Sequence, residues 1–376
     1  MRFTVHRKLN ARGADPFASI SISRVDHWDH TFSGLWSLLV YTINLRLAIR
    51  FDFRRGRVIL SQASLIGMKK TFSLSAGLCL FLCILWSQEV RSGGSAPPPP
   101  QLVWAPKPVA LTPWTAPNKP HWKLAEILSD HKGQKSWKVA IVNDDHLHAD
   151  YVMMASGERT PRRAHPDTRE WWVIQDGQIR FTIDGQEPFV ASKGYLVQVP
   201  YRTFYSMETV GDKPSLRFEV NIAHARTMYP SDEKPPTLDG YTFVKTTVAG
   251  QGKYEQGNRP WIDFNAVVAG TEKQRRFIAD DRAVSNIIIG EAKKLPPVTD
   301  ADKGHFHGEC AEFWIILLGK MDYRIEGAPQ IIADQGDIVY APRGHWHRPR
   351  FYGEGQSCRL AMNGFQDIGH FFEPKE

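Results

Sequence analysis

The chain has 376 residues, room for two domains of ordinary size plus extensions, and 42% of them are hydrophobic, enough for packed cores. Its formal net charge of +7 sits at one end: residues 1–70 carry 12 Lys and Arg against 4 Asp and Glu, the remainder 35 against 36. A body this close to neutral implies neither a basic groove nor a nucleic-acid surface, and no nucleic-acid partner is expected.

From Met68 the chain runs through Lys69 and Lys70 into an apolar stretch that ends near Trp86 and exits into polar residues. A charged start, an apolar middle and a polar exit form the pattern of a secretory signal peptide, so 68–96 reads as a signal peptide or uncleaved anchor. Such a segment does not normally follow a long leader, and residues 1–67 therefore read as a mis-assigned upstream extension, with translation starting at Met68. In the alternative, Phe32–Leu45 and Thr71–Trp86 are membrane segments, but both fall short of the roughly 20 residues of a helical span. The expectation is an exported protein, periplasmic or extracellular, that touches a membrane only if the segment stays uncleaved.

Residues 97–120 are rich in proline and favour an extended spacer. They read as a tether, or as an arm laid over the first folded domain with Trp104 and Trp114 docked. His121–His131 is the best helical stretch in a chain otherwise dominated by strand alternation, which recurs at Gln178–Ile183, Tyr195–Val199, Leu216–Ile222, Lys320–Ile325, Asp337–Tyr340 and Arg359–Asn363. Asp184-Gly185 and Glu326-Gly327 are hairpin turns. Pro230–Pro260 is a Pro/Gly-rich connector, and Val284–Ile289 should open the second domain. The fold class is all-β. Cys310 and Cys358 could pair in an exported protein, but read better as two buried thiols.

The chemistry concentrates late in the chain. His305, His307, Glu312 and Gly319 give H-x-H-x4-E-x6-G, and Gly336, Pro342, Gly344 and His347 give G-x5-P-x-G-x2-H. Residues two apart on a strand share a face, so His305 and His307 can hold one ion. Glu312 is out of phase with them, which requires a break near Gly308. Three imidazoles and a carboxylate suit one divalent first-row metal such as Fe, Mn, Ni or Zn.

The pattern occurs twice. An offset of 142 residues lays Arg163–Asn221 on His305–Asn363 without a gap, matching His165 to His307, Glu170 to Glu312, Trp172 to Trp314, Gly194 to Gly336, Arg217 to Arg359 and Asn221 to Asn363. Two domains of one fold in tandem follow. In the first copy Arg163 replaces His305, Tyr205 replaces His347 and Arg202 replaces Gly344. A guanidinium stays charged and repels a cation, so the first site reads as metal-free, with Arg163 paired to Glu170. The alternative is an anion held by Arg163, Arg202 and Tyr205. His146 and His148 lack a following Glu and read as a polar face.

The two late motifs resemble the signature motifs of the cupin superfamily, small barrels of the double-stranded β-helix or jelly-roll type. The match spans about Gly304 to Phe351, and departs where the family usually closes its second motif with Asn and this chain has Phe351. The resemblance implies a bicupin: a first barrel over 121–229, a connector over 230–270 and a metal-bearing second barrel over 271–376. Cupins with this ligand set include dioxygenases, decarboxylases, isomerases and lyases, and proteins that only bind or store. The expectation is an exported metal-dependent enzyme on a small oxygenated or acidic molecule, dioxygenase-type oxidoreductase being favoured over a decarboxylase or lyase and over a non-enzymatic binding module. Glu309 is the candidate proton donor, and Tyr323 and Arg359 are candidates to orient ligands or substrate. A homodimer is a possible assembly.

Overall fold

The computed structural model describes residues 36–42, 45–52 and 57–62 by their backbone, and 101–376 apart from 256–257, 281, 300, 365–368 and 375–376. The signal-like segment and most of the proposed extension lie outside the described residues. Within the latter, β1 (Trp36–Thr42), β2 (Leu45–Asp52) and β3 (Arg57–Gln62) pair antiparallel in a unit of their own. No helix among the described residues is long and apolar enough to cross a membrane.

The larger unit, from residue 100 onward, is built of two barrels. It opens with β4 (His121–Trp122) and α1 (Leu124–Asp130). The first barrel follows: β5 (Trp137–Asn143), β6 (Leu147–Met154), β7 (Glu170–Asp176), β8 (Gln178–Ile183), β9 (Phe189–Ser192), β10 (Tyr195–Val199), β11 (Tyr205–Val210) and β12 (Ser215–Ile222). After the connector come β13 (Trp261–Asp263) and α2 (Phe264–Val268). The second barrel has β14 (Arg276–Ala279), β15 (Val284–Glu291), β16 (His305–Phe306), β17 (Glu312–Leu318), β18 (Lys320–Ile325), β19 (Ile331–Ala333), β20 (Ile338–Ala341), β21 (His347–Tyr352), β22 (Gln356–Asn363) and β23 (Phe371–Phe372). Val284–Ile289, expected as its opening strand, is preceded by β14, with which it pairs.

Each barrel joins a six-stranded sheet to a smaller one. The large sheets run β13-β10-β7-β12-β6-β5 and β14-β15-β22-β17-β20-β4, the small ones β11-β8-β9 and β19-β18-β21-β16-β23. Strand β7 shows why the middle of the large sheet reads as an unbroken apolar run. Trp171 and Val173 face a core shared by the two large sheets, whereas Trp172 and Ile174 face the interior of the first barrel. In β17, Phe313, Ile315 and Leu317 face the shared core, and Trp314 and Ile316 the second interior. A strand covered on both faces has no polar side to display. β8 has one face in solvent, and its residues alternate between buried and exposed.

The arms cross over. β4 precedes the first barrel yet pairs with β20 of the second, Ile338 opposite Trp122, and β13 precedes the second barrel yet pairs with β10 of the first, Leu196 opposite Ile262. The helix that follows each arm packs on a glycine turn of the other barrel. A Cβ on Gly336, whose φ is +87°, would come 2.4 Å from Leu124 Cδ2, so the turn admits only glycine. Buried Asp337 fastens this arm, accepting from the Leu124 amide at 3.0 Å and facing His121 Nε2 at 2.8 Å. Residues 121–122, expected to open the first barrel, thus complete the sheet of the second.

The Pro-rich stretch follows the same course and is not a free tether. It lies on the second barrel, not the first. Trp114 Nε1 donates to the Tyr340 carbonyl at 3.2 Å and its ring meets His345 edge-on at 4.7 Å, while Lys107 pairs with Glu326 at 2.8 Å. Trp104 is fully exposed. In the first barrel the connector plays the matching part, with the Tyr254 hydroxyl donating to the Gln198 carbonyl at 2.8 Å. Cys310 and Cys358 are free and buried, and burial pushes both thiols up to about 12.

Candidate metal centre

The four motif residues meet at one end of the second interior. His305 comes from β16, Glu312 opens β17 on the same face as Trp314, and His347 opens β21 opposite His305. His307 lies just past β16, where the strand breaks before β17, as the phase mismatch required. Gly304 sets the approach. Its φ is +82°, and a Cβ there would stand 2.2 Å from the His347 carbonyl oxygen.

One ligand atom from each of the four lies within 4.8 Å of the others, close to the span of donors around one ion at roughly 2.1 Å. Glu312 Oε2 is 3.0 Å from His347 Nε2, 3.2 Å from His307 Nε2 and 3.6 Å from His305 Nε2. His305 Nε2 and His347 Nε2 face each other at 3.0 Å. The Nδ1 of His347 is 2.9 Å from the His345 carbonyl, which keeps its proton there and turns the Nε2 lone pair to the centre. Burial would raise the Glu312 carboxyl, but the three histidines hold it well below the usual carboxylate range. Burial also lowers His305 and His347, favouring the neutral imidazoles a metal needs. The donor set therefore fits a divalent ion. His305 is the one ligand not fully buried.

Tyr323 and Arg359 project into the same interior. Both are buried, and neither the Tyr323 hydroxyl nor Arg359 Nε has a hydrogen-bond partner. Burial pushes the Tyr323 phenol well up. The Arg359 guanidinium lies 5.7 Å from the centre of the Phe351 ring, so the residue that departs from the family motif packs on it. Glu309 is exposed on the loop between β16 and β17. His370 was not foreseen. It precedes β23, which pairs with β16, and its ring lies 4.4 Å from that of His307 and 4.9 Å from that of His305. It sits beyond both motifs and beyond the repeat, so only the pairing of the last strand reveals it.

The first barrel holds an ion network where the second holds its ligands. Arg163 Nε donates to the Tyr205 hydroxyl at 2.7 Å and its Nη2 to Glu170 at 3.2 Å, and His165 Nε2 meets Glu170 at 2.8 Å. The Tyr205 hydroxyl also donates to Glu170. The guanidinium bridges Tyr205 and Glu170, the counterparts of His347 and Glu312, and so occupies the place where the second barrel gathers its candidate ligands. Arg202 instead donates to the Pro166 and Ala249 carbonyls and pairs with Asp167. It does not join Arg163 and Tyr205 in an anion site. His146 and His148 stay outside both centres, His148 pairing with Asp150 at 2.9 Å.

Two tandem cupin barrels, the second with a candidate metal centre, define the class. Residues 150–221 and 293–362 each match the cupin domain profile. The chain is a bicupin. No curated protein matches it. Among solved structures it is similar to a cupin 2 conserved barrel domain protein from Leptotrichia buccalis, at 14% identity and a TM-score of 0.45, covering 65% of this chain and 95% of that one. It is also similar to a mutant of Bacillus subtilis oxalate decarboxylase, at 14% identity and a TM-score of 0.42, covering 68% and 79%. At these scores neither likeness bears on what this chain does.

Proposed function

We propose that the protein is an exported metal-dependent enzyme that acts on a small oxygenated or acidic molecule inside the second barrel. The convergence of His305, His307, Glu312 and His347 on one point carries this reading. Four ligands leave one or two positions free on a five- or six-coordinate ion, as a catalytic metal requires. A bound divalent ion would supply Lewis-acid polarisation of a substrate oxygen and a platform for dioxygen. Tyr323 and Arg359 orient the substrate from the barrel wall. The first barrel and the crossed arms hold the second in shape.

Dioxygenase-type chemistry is favoured over decarboxylation because Glu309, the loop carboxylate that would return a proton to carbon, is exposed. Export rests on the charged, apolar and polar succession from Met68 to Ser87. The test is elemental analysis of the purified protein beside a His307→Ala variant, followed by oxygen-electrode measurements with a panel of small acids and phenols. About one equivalent of metal, lost in the variant, and substrate-dependent oxygen uptake are expected. Metal without turnover would leave a binding module, and no metal would overturn the reading.

A further inference from the structure

The first barrel contains, in its own side chains, a picture of a ligand complex that the second barrel lacks. Glu219 points into the first interior. Its Oε2 accepts from Trp172 Nε1 at 2.9 Å and from Arg217 Nε at 3.0 Å, and its Oε1 is 3.5 Å from Arg163 and 3.9 Å from Lys138. Three of these four cations and donors have counterparts in the second barrel. Trp314 stands for Trp172, Arg359 for Arg217, and the ligand set around His305 for Arg163. The carboxylate does not, because Glu219 is replaced by Ala361.

The equivalence rests on geometry as well as on the repeat. Glu219 lies opposite Trp172 and Arg217 opposite Ile174, as Ala361 lies opposite Trp314 and Arg359 opposite Ile316. The rings of Trp172 and Phe181 are 5.3 Å apart and those of Trp172 and Tyr205 5.1 Å. The corresponding distances are 4.9 Å for Trp314 and Tyr323, and 5.3 Å for Trp314 and His347. Replacing Glu by Ala while keeping the arginine leaves Arg359 Nε buried without a partner, and replacing Phe181 by Tyr323 adds a buried hydroxyl in the same state. Orphaned buried donors of this kind carry a desolvation cost that a bound anion removes.

We infer that the second barrel binds a small carboxylate in the place that the Glu219 carboxylate occupies in the first. One carboxylate oxygen lies on Arg359 and the other faces the metal centre, as Glu219 spans Arg217 and Arg163. The atoms Glu219 has beyond Cβ are a methylene carbon and a carboxylate, the heavy atoms of acetate, which sets the size of the anchoring group. Tyr323 is left to donate to the remainder of the molecule. The inference rests on the proposed function for the metal but assigns a substrate class and a subsite of its own.

The test is calorimetric titration of acetate into the protein as purified, into Ala361→Glu and into Arg359→Gln, with metal content measured on each. Ala361→Glu returns the missing carboxylate and should abolish acetate binding with the metal retained. Arg359→Gln should weaken binding roughly tenfold or more. If Ala361→Glu does not fold, Arg359→Gln decides alone. Acetate binding unchanged in both variants, or no saturable acetate binding to metal-loaded protein, overturns the subsite and leaves the proposed function standing. A metal-free protein whose acetate binding still depends on Arg359 supports the subsite and sinks the proposed function instead.

Discussion

Arg163 reaches the Tyr205 hydroxyl at 2.7 Å in the first barrel at the same two positions where His305 and His347 face each other at 3.0 Å in the second. One pair closes a site with a fixed cation. The other leaves its donors free to hold an exchangeable one.

The closed site should therefore reopen. The double substitution Arg163→His and Tyr205→His restores three imidazoles and a carboxylate at the motif spacing, with His165 and Glu170 already in place. Elemental analysis should then rise from about one metal equivalent per chain to about two. Arg163→Ala alone should add no metal. It strips the largest compensating charge from buried Glu170 and the second largest, after Arg217, from buried Glu219, and should cost about 3 kcal/mol in urea denaturation.

The same network fixes a pH dependence. Burial alone would lower His165, but Glu170 and the Arg226 carbonyl raise it above its usual value. A raised histidine binds its proton more tightly in the folded state, so its contribution is full below the unfolded value and is lost as pH rises through the folded one. Burial would raise Glu170, yet Arg163 and His165 lower it. Its contribution is full above the unfolded carboxylate value and is lost on acidification through the folded one. With metal removed by chelation, denaturation curves should show the first barrel most stable between these limits and weakening toward alkaline pH. His165→Asn should flatten the alkaline limb.

The four residues of the candidate metal centre, the tandem repeat and most strands were legible because each depends on local spacing: Gln178–Ile183 and Lys320–Ile325 coincide with β8 and β18. The arms were not. Trp122 finds Ile338 across more than 200 residues, and nothing within the dipeptide His121-Trp122 tells which barrel it completes. The Glu219-to-Ala361 replacement was visible in the repeat, but its meaning depends on both residues facing a barrel interior beside an arginine. Only the strand register establishes that.

Gly304 should tolerate no side chain. Gly304→Ala forces a Cβ against the His347 carbonyl in a left-handed backbone, a strain of roughly 1–3 kcal/mol. The strand carrying His347 must shift to relieve it. Metal affinity should fall roughly 10- to 100-fold, as for other changes that misplace a ligand, and a chelator-competition titration measures this. Gly308→Ala meets only the Phe371 ring at 3.5 Å, an ordinary contact, and should bind metal as the parent does.

Asp337 holds the crossed arm at its root. Its two carboxylate oxygens serve the Leu124 amide, His121 Nε2 and the Asp334 amide, all from a buried position. Asp337→Ala leaves these groups without an acceptor and should destabilise the protein by about 2–4 kcal/mol, read by urea denaturation. The arm should also become the first site of cleavage in limited proteolysis, because Trp114 and Leu124 can no longer be pinned together on the second barrel. Cleavage near 121–131 in the variant but not in the parent is the expected result. Equal resistance in both would mean that strand pairing of β4 with β20 holds the arm without the carboxylate.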